Sequence, residues 1–520
     1  MDALVPLSFL APIATLAVAL LARAHPGARP KALPRLAEIA ALLALILAAA
    51  GAGQLMIEGP RTLALGGGVW VLALRLDAVS ATMALLVAFV GWVVVRYARR
   101  YLDGDAQEGA FHGRMLGTLA AVLVLVQSGS LAVLIAAFLA VGWLLRRLLT
   151  FYADRPEARR AAAKFALVWG AGDALLIVAA CLLWVAFGTA DLAAISQAAG
   201  QGLSFTAQIA VALLVITAAL KTASFPLHGW LTEVMEAPTP VSALLHAGII
   251  NAGGFLVIRM AGLVQESTGS MAALVMLGGF TALFGAVVML TQSAVKTALA
   301  WSTVAQMGFM LLQCGLGLWA LALLHIVAHS LYKAHAFLSS GRAVQAVASL
   351  RRPGPVAVPG LLAVTRAFAL ALVLYGAVAV GFGLIAGPKS AQALALGAIL
   401  IFGVAYLVAQ GLADAAPRAL TRRTVAASLV AALAYFSFQV AAEALWGPSL
   451  PDAPVPGPLE WALIVVALLS FGLVAVAQAL FPLWAHHPAA AGLRVHLANG
   501  LYLNAVFDRL IGGFRRHTPL

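Results

Sequence analysis

The stretch VITAALKTASFPLHGWLTEVMEAPTPVSALLHAG, residues 215–248, places a lysine and a proline inside a long apolar segment. The residues from Phe205 to Leu220 carry no charge, Lys221 follows them, and Pro226 comes five positions later. As one straight helix, residues 205–236 would be about 48 Å long, whereas the hydrocarbon core of a bilayer is about 30 Å thick. Because proline removes a backbone donor and clashes with the preceding turn, we predict a helix that breaks near mid-membrane beside Lys221.

The composition supports a membrane setting for this break. The chain has 520 residues, 63% of them hydrophobic and 10% charged, with a mean hydropathy of +1.00. A soluble domain has about 25% charged residues, so a soluble protein is excluded and we predict one all-α integral membrane domain with about fifteen transmembrane helices. The predicted spans are 4–22, 37–57, 78–95, 113–127, 131–150, 164–187, 205–236, 241–260, 271–291, 297–314, 318–340, 360–386, 391–413, 424–446 and 458–482.

The basic residues predict how these spans are oriented. The net charge is +13, but the basic residues lie in short loops between apolar runs, which indicates membrane orientation and not a nucleic-acid partner. With the N-terminus outside and the C-terminus in the cytoplasm, 25 of the 32 Lys and Arg residues, Lys164 among them, lie on the cytoplasmic side and four outside. Glu233 and Glu236 are expected on a solvated face near the cytoplasmic end.

Two further predictions concern cleavage of the N-terminal segment and the binding of metals. The first apolar run is preceded by no Lys or Arg, so we expect a retained first helix and not a cleaved signal peptide. The two cysteines, Cys181 and Cys314, lie in apolar runs, and no Cys/His cluster has metal-ligand spacing. The sequence therefore predicts no zinc site, no disulfide framework and no cofactor in this chain.

Three of only six lysines lie in or at the edge of predicted spans, against 26 arginines in the chain. Lys221 and Lys333 are inside spans and Lys296 is at a span edge. An intramembrane charge is a functional hypothesis by default, and a buried lysine can release its proton near neutral pH whereas an arginine cannot. The alternative for Lys221 is a side chain that extends to the interface beside a packing kink.

A second pattern lies in LLHIVAHSLYKAHAFLSSG, residues 323–341. His325, His329 and Lys333 recur every four residues and therefore share one face of a helix, as in a proton relay; any one histidine alone could be an ordinary core residue. His246 is a further candidate, and Asp173 is the clearest buried acid that could pair with Lys221. Candidates with weaker context are Arg366, Asp414 and Glu443.

These motifs are similar to a known family. LKTASFPLHGWLTEVMEAPTPVSALLHAG resembles the core of the proton-translocating subunits of respiratory complex I and Mrp-type antiporters, SAVKTALAWSTVAQMGFM (293–310) resembles their next lysine motif, and HSLYKAHAFLSSG (329–341) resembles their histidine–lysine helix. The resemblance covers about residues 110–345. It implies that Lys221 is the central proton-transfer lysine and Lys296 a bridging lysine. It matches His246, His329 and Lys333 to polar-axis positions on the following helices, and Asp173 to an acidic position of the family.

The family fold implied by this resemblance has two inverted five-helix repeats, broken helices and a hydrated central axis. On this chain, the repeats would be 113–260 and 271–413. N-terminal helices would occupy 1–112, and 414–520 would hold C-terminal helices and a cytoplasmic tail.

Two departures indicate a subfamily. The helix LAVLIAAFLAVGWLLRRLLTFY (131–152) has Ala140 where complex I subunits have a glutamate, and the tail is short. These features resemble the DabB family, the membrane subunits of DAB-type inorganic carbon accumulation complexes. The resemblance implies a cation-conducting, non-enzymatic subunit of the bacterial inner membrane. Its partners would be the lipid bilayer and a DabA-like, carbonic-anhydrase-like protein that holds the zinc. The alternatives are a proton-pumping subunit of a complex I-like NADH:quinone oxidoreductase and a Na+/H+ antiporter subunit of the Mrp type.

Overall fold

The computed structural model of the chain describes residues 5–349, 360–411, 418–484 and 487–511. Within these residues, the chain is almost entirely helical. The α-helices, in chain order, are α1 (Ala11–Leu21), α2 (Leu33–Glu58), α3 (Ala78–Tyr101), α4 (Glu108–Val126), α5 (Leu131–Leu149), α6 (Pro156–Phe187), α7 (Leu192–Ala199), α8 (Phe205–Lys221), α9 (Gly229–Glu233), α10 (Thr239–Ala247), α11 (Ala252–Arg259), α12 (Ala261–Val264), α13 (Thr268–Met289), α14 (Val295–Gly315), α15 (Trp319–Ser349), α16 (Leu361–Ala386), α17 (Ala391–Gly411), α18 (Arg418–Trp446), α19 (Pro458–Ala479), α20 (Phe481–Trp484), α21 (Pro488–Ala498) and α22 (Leu503–Leu510).

The described residues contain 12 helical segments that are long and apolar enough to cross a membrane. They are formed by α1 with its flanking 3-10 turns, α2 to α6, the α10–α11 pair, α13, α15, α16, α18 and α19. Two shorter apolar helices, Phe205–Lys221 and Ala391–Ala405, coincide with further predicted spans, and so does α14. The membrane fold is therefore confirmed, whereas the count of fifteen spans and the two inverted repeats stay predictions.

A β-hairpin marks one end of the bundle, which we call the hairpin end. Strands β1 (Arg61–Leu65) and β2 (Leu72–Leu76) pair antiparallel between α2 and α3, an addition that the all-α prediction did not contain. The opposite end, which we call the tail end, holds α21 and α22. Arg259 lies at the hairpin end, whereas Arg23, Arg99 and Arg147 lie in the last turns of helices that finish at the tail end.

A buried ion pair fixes the hairpin end. Asp77 caps α3 and accepts hydrogen bonds from the Ser80 amide at 2.8 Å and from Arg259 Nη1 at 2.6 Å, with Arg75 Nε at 2.9 Å. Arg259 also donates to the Val126 carbonyl, so α3, α4, α11 and β2 meet at one carboxylate. Burial alone would raise the pKa of Asp77, but Arg259, the Ser80 amide and Arg75 outweigh it and hold that pKa below its usual value.

Replacing Arg259 with glutamine should destabilise the protein by about 2–3 kcal/mol near neutral pH, because the buried carboxylate loses its main partner. Since the pKa of Asp77 is lower in the folded than in the unfolded chain, this contribution is complete above the unfolded value and is lost as the pH falls through the folded value. The measurement is thermal unfolding in detergent at neutral and at acidic pH. Arg96→Gln is the control, because Arg96 is exposed and lies 3.7 Å from Glu38; equal melting temperatures for the two variants would contradict the prediction.

Candidate ion-translocation site

The predicted helix break is present and follows Lys221 directly. Ser204 caps the start of α8, the helix ends at Lys221, and α9 resumes at Gly229 after a non-helical segment that contains Pro226. The break exposes backbone carbonyls, and the side chains of the motif satisfy them. The Trp230 indole donates to the Leu220 carbonyl at 3.1 Å. The Thr222 hydroxyl adds a 2.8 Å bond to the Ala218 carbonyl, which also accepts from the Thr222 amide.

Lys221 is fully buried at this break and faces Asp173 of α6. Its Nζ lies 2.6 Å from Asp173 Oδ1, 4.0 Å from the centroid of the Trp169 ring and 4.7 Å from that of Phe138. Trp169 is itself held in place, because its indole donates to the Phe138 carbonyl at 3.4 Å. The amine is thus enclosed by one carboxylate and two aromatic faces, which lower the cost of a charge inside the membrane.

Ala140, the position aligned with the family glutamate, points away from this site. It lines a cavity between α1, α4 and α5 together with Arg114 and Arg147. Residues 138 and 140 lie about 200° apart around a helix, and Phe138 is the α5 residue whose ring faces Lys221. A carboxylate at position 140 would therefore lie beside arginines and not beside Lys221.

A second polar cluster is built where α10, α14 and α15 meet. His246 and His329 are buried, and His329 Nε2 donates to the His246 carbonyl at 3.1 Å. His246 Nδ1 lies 3.1 Å from the Thr303 hydroxyl. That hydroxyl donates to the Leu299 carbonyl at 3.0 Å, so it must accept from His246 Nδ1–H. The Nε2 atom of neutral His246 is then a free proton acceptor, and it has no hydrogen-bond partner among the described residues.

The predicted stripe on α15 extends this cluster in both directions. The rings of His325 and His329 lie 6.0 Å apart. Lys333 is fully buried, and its Nζ donates at 3.0 Å to the Leu299 carbonyl that also accepts from Thr303. His246, Thr303 and Lys333 therefore form one hydrogen-bonded group around this carbonyl.

Lys296 stands apart from this group. It is partly exposed at the start of α14, one turn before Leu299, and makes no hydrogen bond or ion pair with the part of the chain that the structure describes. Nor does any chain of hydrogen bonds between described residues connect the Lys221–Asp173 pair with His246. The structure thus holds two separate polar centres, an ion pair at the α8 break and the histidine–lysine cluster.

A third charged cluster, which the sequence analysis missed, lies at the tail end. Lys164 of α6 is fully buried, and its Nζ lies 2.7 Å from Glu233 Oε1, 2.5 Å from Asp508 Oδ1 and 2.6 Å from Asn504 Oδ1. Asn504 also donates to Glu233. The basic-residue pattern counted Lys164 among the cytoplasmic-side residues at the start of a span, and the structure shows it buried within α6. Glu233, with a side chain 13% exposed, is not on the solvated face that was expected. The scarcity of lysine was the one signal that pointed to Lys164.

The remaining candidates do not join these clusters. Glu236 is exposed and pairs with Arg155 at 3.2 Å, as a solvated position predicts. Glu443 is exposed and pairs with Lys389 at 3.2 Å at the hairpin end. Arg366 is exposed on α16, and Asp414 lies outside the described residues.

Comparisons with known proteins place this arrangement in a family. The family model described as "NADH:quinone oxidoreductase/Mrp antiporter, TM" matches residues 128–411, and that of "NADH-Ubiquinone oxidoreductase (complex I), chain 5 N-terminus" matches residues 65–112. "Probable inorganic carbon transporter subunit DabB2" of Halothiobacillus neapolitanus is 36% identical over 90% of this chain and 85% of that relative. "Probable inorganic carbon transporter subunit DabB" of Hydrogenovibrio crunogenus is 43% identical over 54% of each chain. Among solved structures, the Mrp complex from Dietzia sp. aligns with a TM-score of 0.64 and 23% identity over 97% of this chain and 59% of that one.

The fold and the buried lysines define a multi-pass membrane subunit of the antiporter-like class. The chain belongs to the NADH:quinone oxidoreductase/Mrp antiporter family and, within it, to the DabB group. The resemblance identified from the α8 motif is thereby confirmed.

Replacing Lys164 with glutamine should release the segment that contains α22, because two poorly solvated carboxylates lose their shared cation. Breaking a buried pair costs about 3–5 kcal/mol, so we expect trypsin to cut the detergent-solubilised protein after Arg494 and Arg509 at least about tenfold faster. The control is Arg160→Gln, since Arg160 lies on the same helix and contacts the same Glu233, but at 3.6 Å and 53% exposed. Cleavage at the same rate in both variants would show that other contacts hold the segment.

Proposed function

We propose that the chain is a cation-translocating subunit that conducts protons and couples their flow to inorganic carbon accumulation. The observation that carries the proposal is the Lys221–Asp173 pair, with its 2.6 Å contact inside the membrane domain. A lysine can exist with or without its proton in such a site. Its attraction to Asp173 therefore differs between two states, and such a difference is what coupling requires.

The entry side of the proposed path is the histidine–lysine cluster. A cavity of about 630 Å³ lies between α13 to α15 and α17 to α19, and its lining includes His325, His329, Gln306 and Gln313. The cavity is large enough to hold many waters, and Tyr332 at its rim is 59% exposed. Protons from the hairpin end, which we assign to the outside of the cell, would reach His329 through this cavity. The free Nε2 atom of His246 would accept them next.

Transfer from His246 to Lys221 would require water, since the two centres share no hydrogen bond in the described residues. The segment between α8 and α9 offers hydroxyl groups for this purpose: Thr222 and Ser224 lie 3.0 Å apart, and the Phe225 amide donates to Thr281 at 3.2 Å. Irregular backbone at membrane depth is tolerated where it lines a cavity or packs against protein. The break would thus be the point at which water enters and the path opens.

The exit side of the proposed path is the Lys164 cluster at the tail end, which we assign to the cytoplasm of a bacterial cell with an inner membrane. α9 connects the Lys221 break to Glu233 over five residues, about one and a half turns, and Glu233 shares Lys164 with Asn504 and Asp508 of the last helix. A change at the break would move Glu233 and, with it, the contacts of α22. This segment would transmit the change to a cytoplasmic partner.

We infer the role in inorganic carbon accumulation from relatives of this chain, two of which are named as subunits of inorganic carbon transporters. We propose that the partner is a DabA-like, carbonic-anhydrase-like protein that holds zinc and hydrates CO2 to bicarbonate, while this chain supplies the driving force and no hydration chemistry. The relatives with these names match at 36% and 43% identity, whereas a complex I subunit L of Mycobacterium tuberculosis matches at 34% over 54% of this chain. The comparison favours the carbon complex over a quinone reductase.

Replacing Lys221 with alanine or with arginine should abolish carbon-dependent growth while the complex still assembles. Both variants lack a group that can release its proton in this site, and Lys221→Arg keeps a positive charge opposite Asp173. The measurement is growth in air of a carbonic-anhydrase-deficient bacterium that expresses the chain with its partner. Normal growth with Lys221→Arg would reduce the role of Lys221 to a structural ion pair, and normal growth with Lys221→Ala would contradict the proposal altogether.

Purification from native membranes should yield a large zinc-containing protein in constant ratio to this chain. The readout is mass spectrometry of the complex together with its zinc content. Recovery of quinone-reductase or Mrp subunits in place of a zinc protein would favour the alternative complexes.

A further inference from the structure

A second cavity, of about 530 Å³, lies at the tail end between α1, α4 and α5. Its lining combines three arginines, Arg23, Arg114 and Arg147, with an apolar wall that includes Leu16, Leu20 and Leu144. The proposed proton path does not use this cavity, because Lys221 and Asp173 lie on the other side of α5. We call it the arginine cavity.

The arginine cavity concentrates positive charge without an acid to balance it. None of the residues that line it is acidic, and none of its three arginines makes an ion pair with the described residues. Like charges that share a site repel one another, and Arg114 is partly buried, so its solvation is incomplete. An anion bound between the guanidinium groups would relieve both costs, and arginine binds phosphate groups through parallel hydrogen bonds.

Exposed apolar side chains border the same cavity, as expected of a surface that faces lipid. Leu16 and Leu20, on the outer face of α1, are 46% and 50% exposed, and Trp143 of α5 is 54% exposed. Arg147 lies over the Trp143 ring, 5.4 Å from its centroid, an arrangement that suits the membrane interface, where tryptophan is enriched. A small soluble anion would leave this apolar wall uncovered, whereas acyl chains would cover it.

We propose that the arginine cavity binds an anionic phospholipid, with the phosphate between Arg114 and Arg147 and the acyl chains along α1. Basic pockets between transmembrane helices at the cytoplasmic side bind anionic headgroups in this way. Ala140 contributes to the size of the site, because its small side chain forms part of the wall beside the two arginines. This role accounts for a small residue at a position that does not face Lys221.

The test is native mass spectrometry of the purified protein titrated in detergent with phosphatidylglycerol and, separately, with phosphatidylcholine. The wild-type protein should retain phosphatidylglycerol in preference. A basic residue near a membrane surface contributes about 1 kcal/mol to anionic lipid binding, so Arg147→Gln should weaken binding about fivefold and Arg114→Gln with Arg147→Gln about 25-fold. Arg146→Gln is the matched control, since Arg146 neighbours Arg147 on α5 but does not line the cavity, and it should bind as the wild type does.

A second pair of variants keeps all three arginines in place. Ala140→Glu should weaken phosphatidylglycerol binding by at least about fivefold, because it supplies a competing carboxylate, whereas Ala140→Gln adds the same volume without the charge and should weaken it less. Equal retention of the two lipids by the wild type, or equal binding by Arg146→Gln and Arg147→Gln, would overturn the proposal. Displacement of the lipid by millimolar bicarbonate or phosphate would overturn it in favour of a soluble anion.

Discussion

The cost of holding an amine inside the membrane governs the architecture around Lys221. A charge in this position costs less with a partner of opposite sign and aromatic faces around it, and Asp173, Trp169 and Phe138 supply these from α6 and α5. The helix that carries Lys221 ends there, so carbonyl groups of its last turn need other hydrogen-bond donors, and the Trp230 indole donates to one of them. One ionisable group therefore joins α5, α6 and α8 at a common point.

Charge clusters at the two ends of the bundle have different characters. At the hairpin end, Asp77 gathers three donors from separate elements and forms a compact structural junction. At the tail end, Lys164 is shared by carboxylates from α9 and from α22, an element near the end of the described chain. The first cluster connects elements of the membrane domain to one another. The second connects the broken helix to the peripheral segment that contains α22, and this segment can move with the loss of fewer packing contacts.

Local patterns in the sequence predicted the features that depend on neighbouring residues. The length of the apolar run and Pro226 predicted the helix break, and the four-residue spacing predicted that His325, His329 and Lys333 share a face. Local sequence patterns do not predict contacts between residues that are distant in the chain. Asn504 reaches Lys164 across 340 positions, and no local pattern distinguishes it from a surface asparagine. The sequence also did not predict which side of α5 carries Ala140, because alignment to a motif does not reveal which neighbouring helix a given face of α5 contacts.

The separation between the Lys221 pair and the histidine–lysine cluster bears on electrical leakage. A permanent proton wire across the membrane would discharge the voltage continuously, and each proton crossing 100 mV releases about 2.3 kcal/mol. In the proposed path, the protein between Asp173 and His246, which no hydrogen bond between described residues bridges, would act as an insulator between two conducting stretches. In the proposed path, the stored energy is released only when this insulator is bridged. A resting molecule would therefore conserve the gradient, and the partner could control its use by controlling hydration at one place.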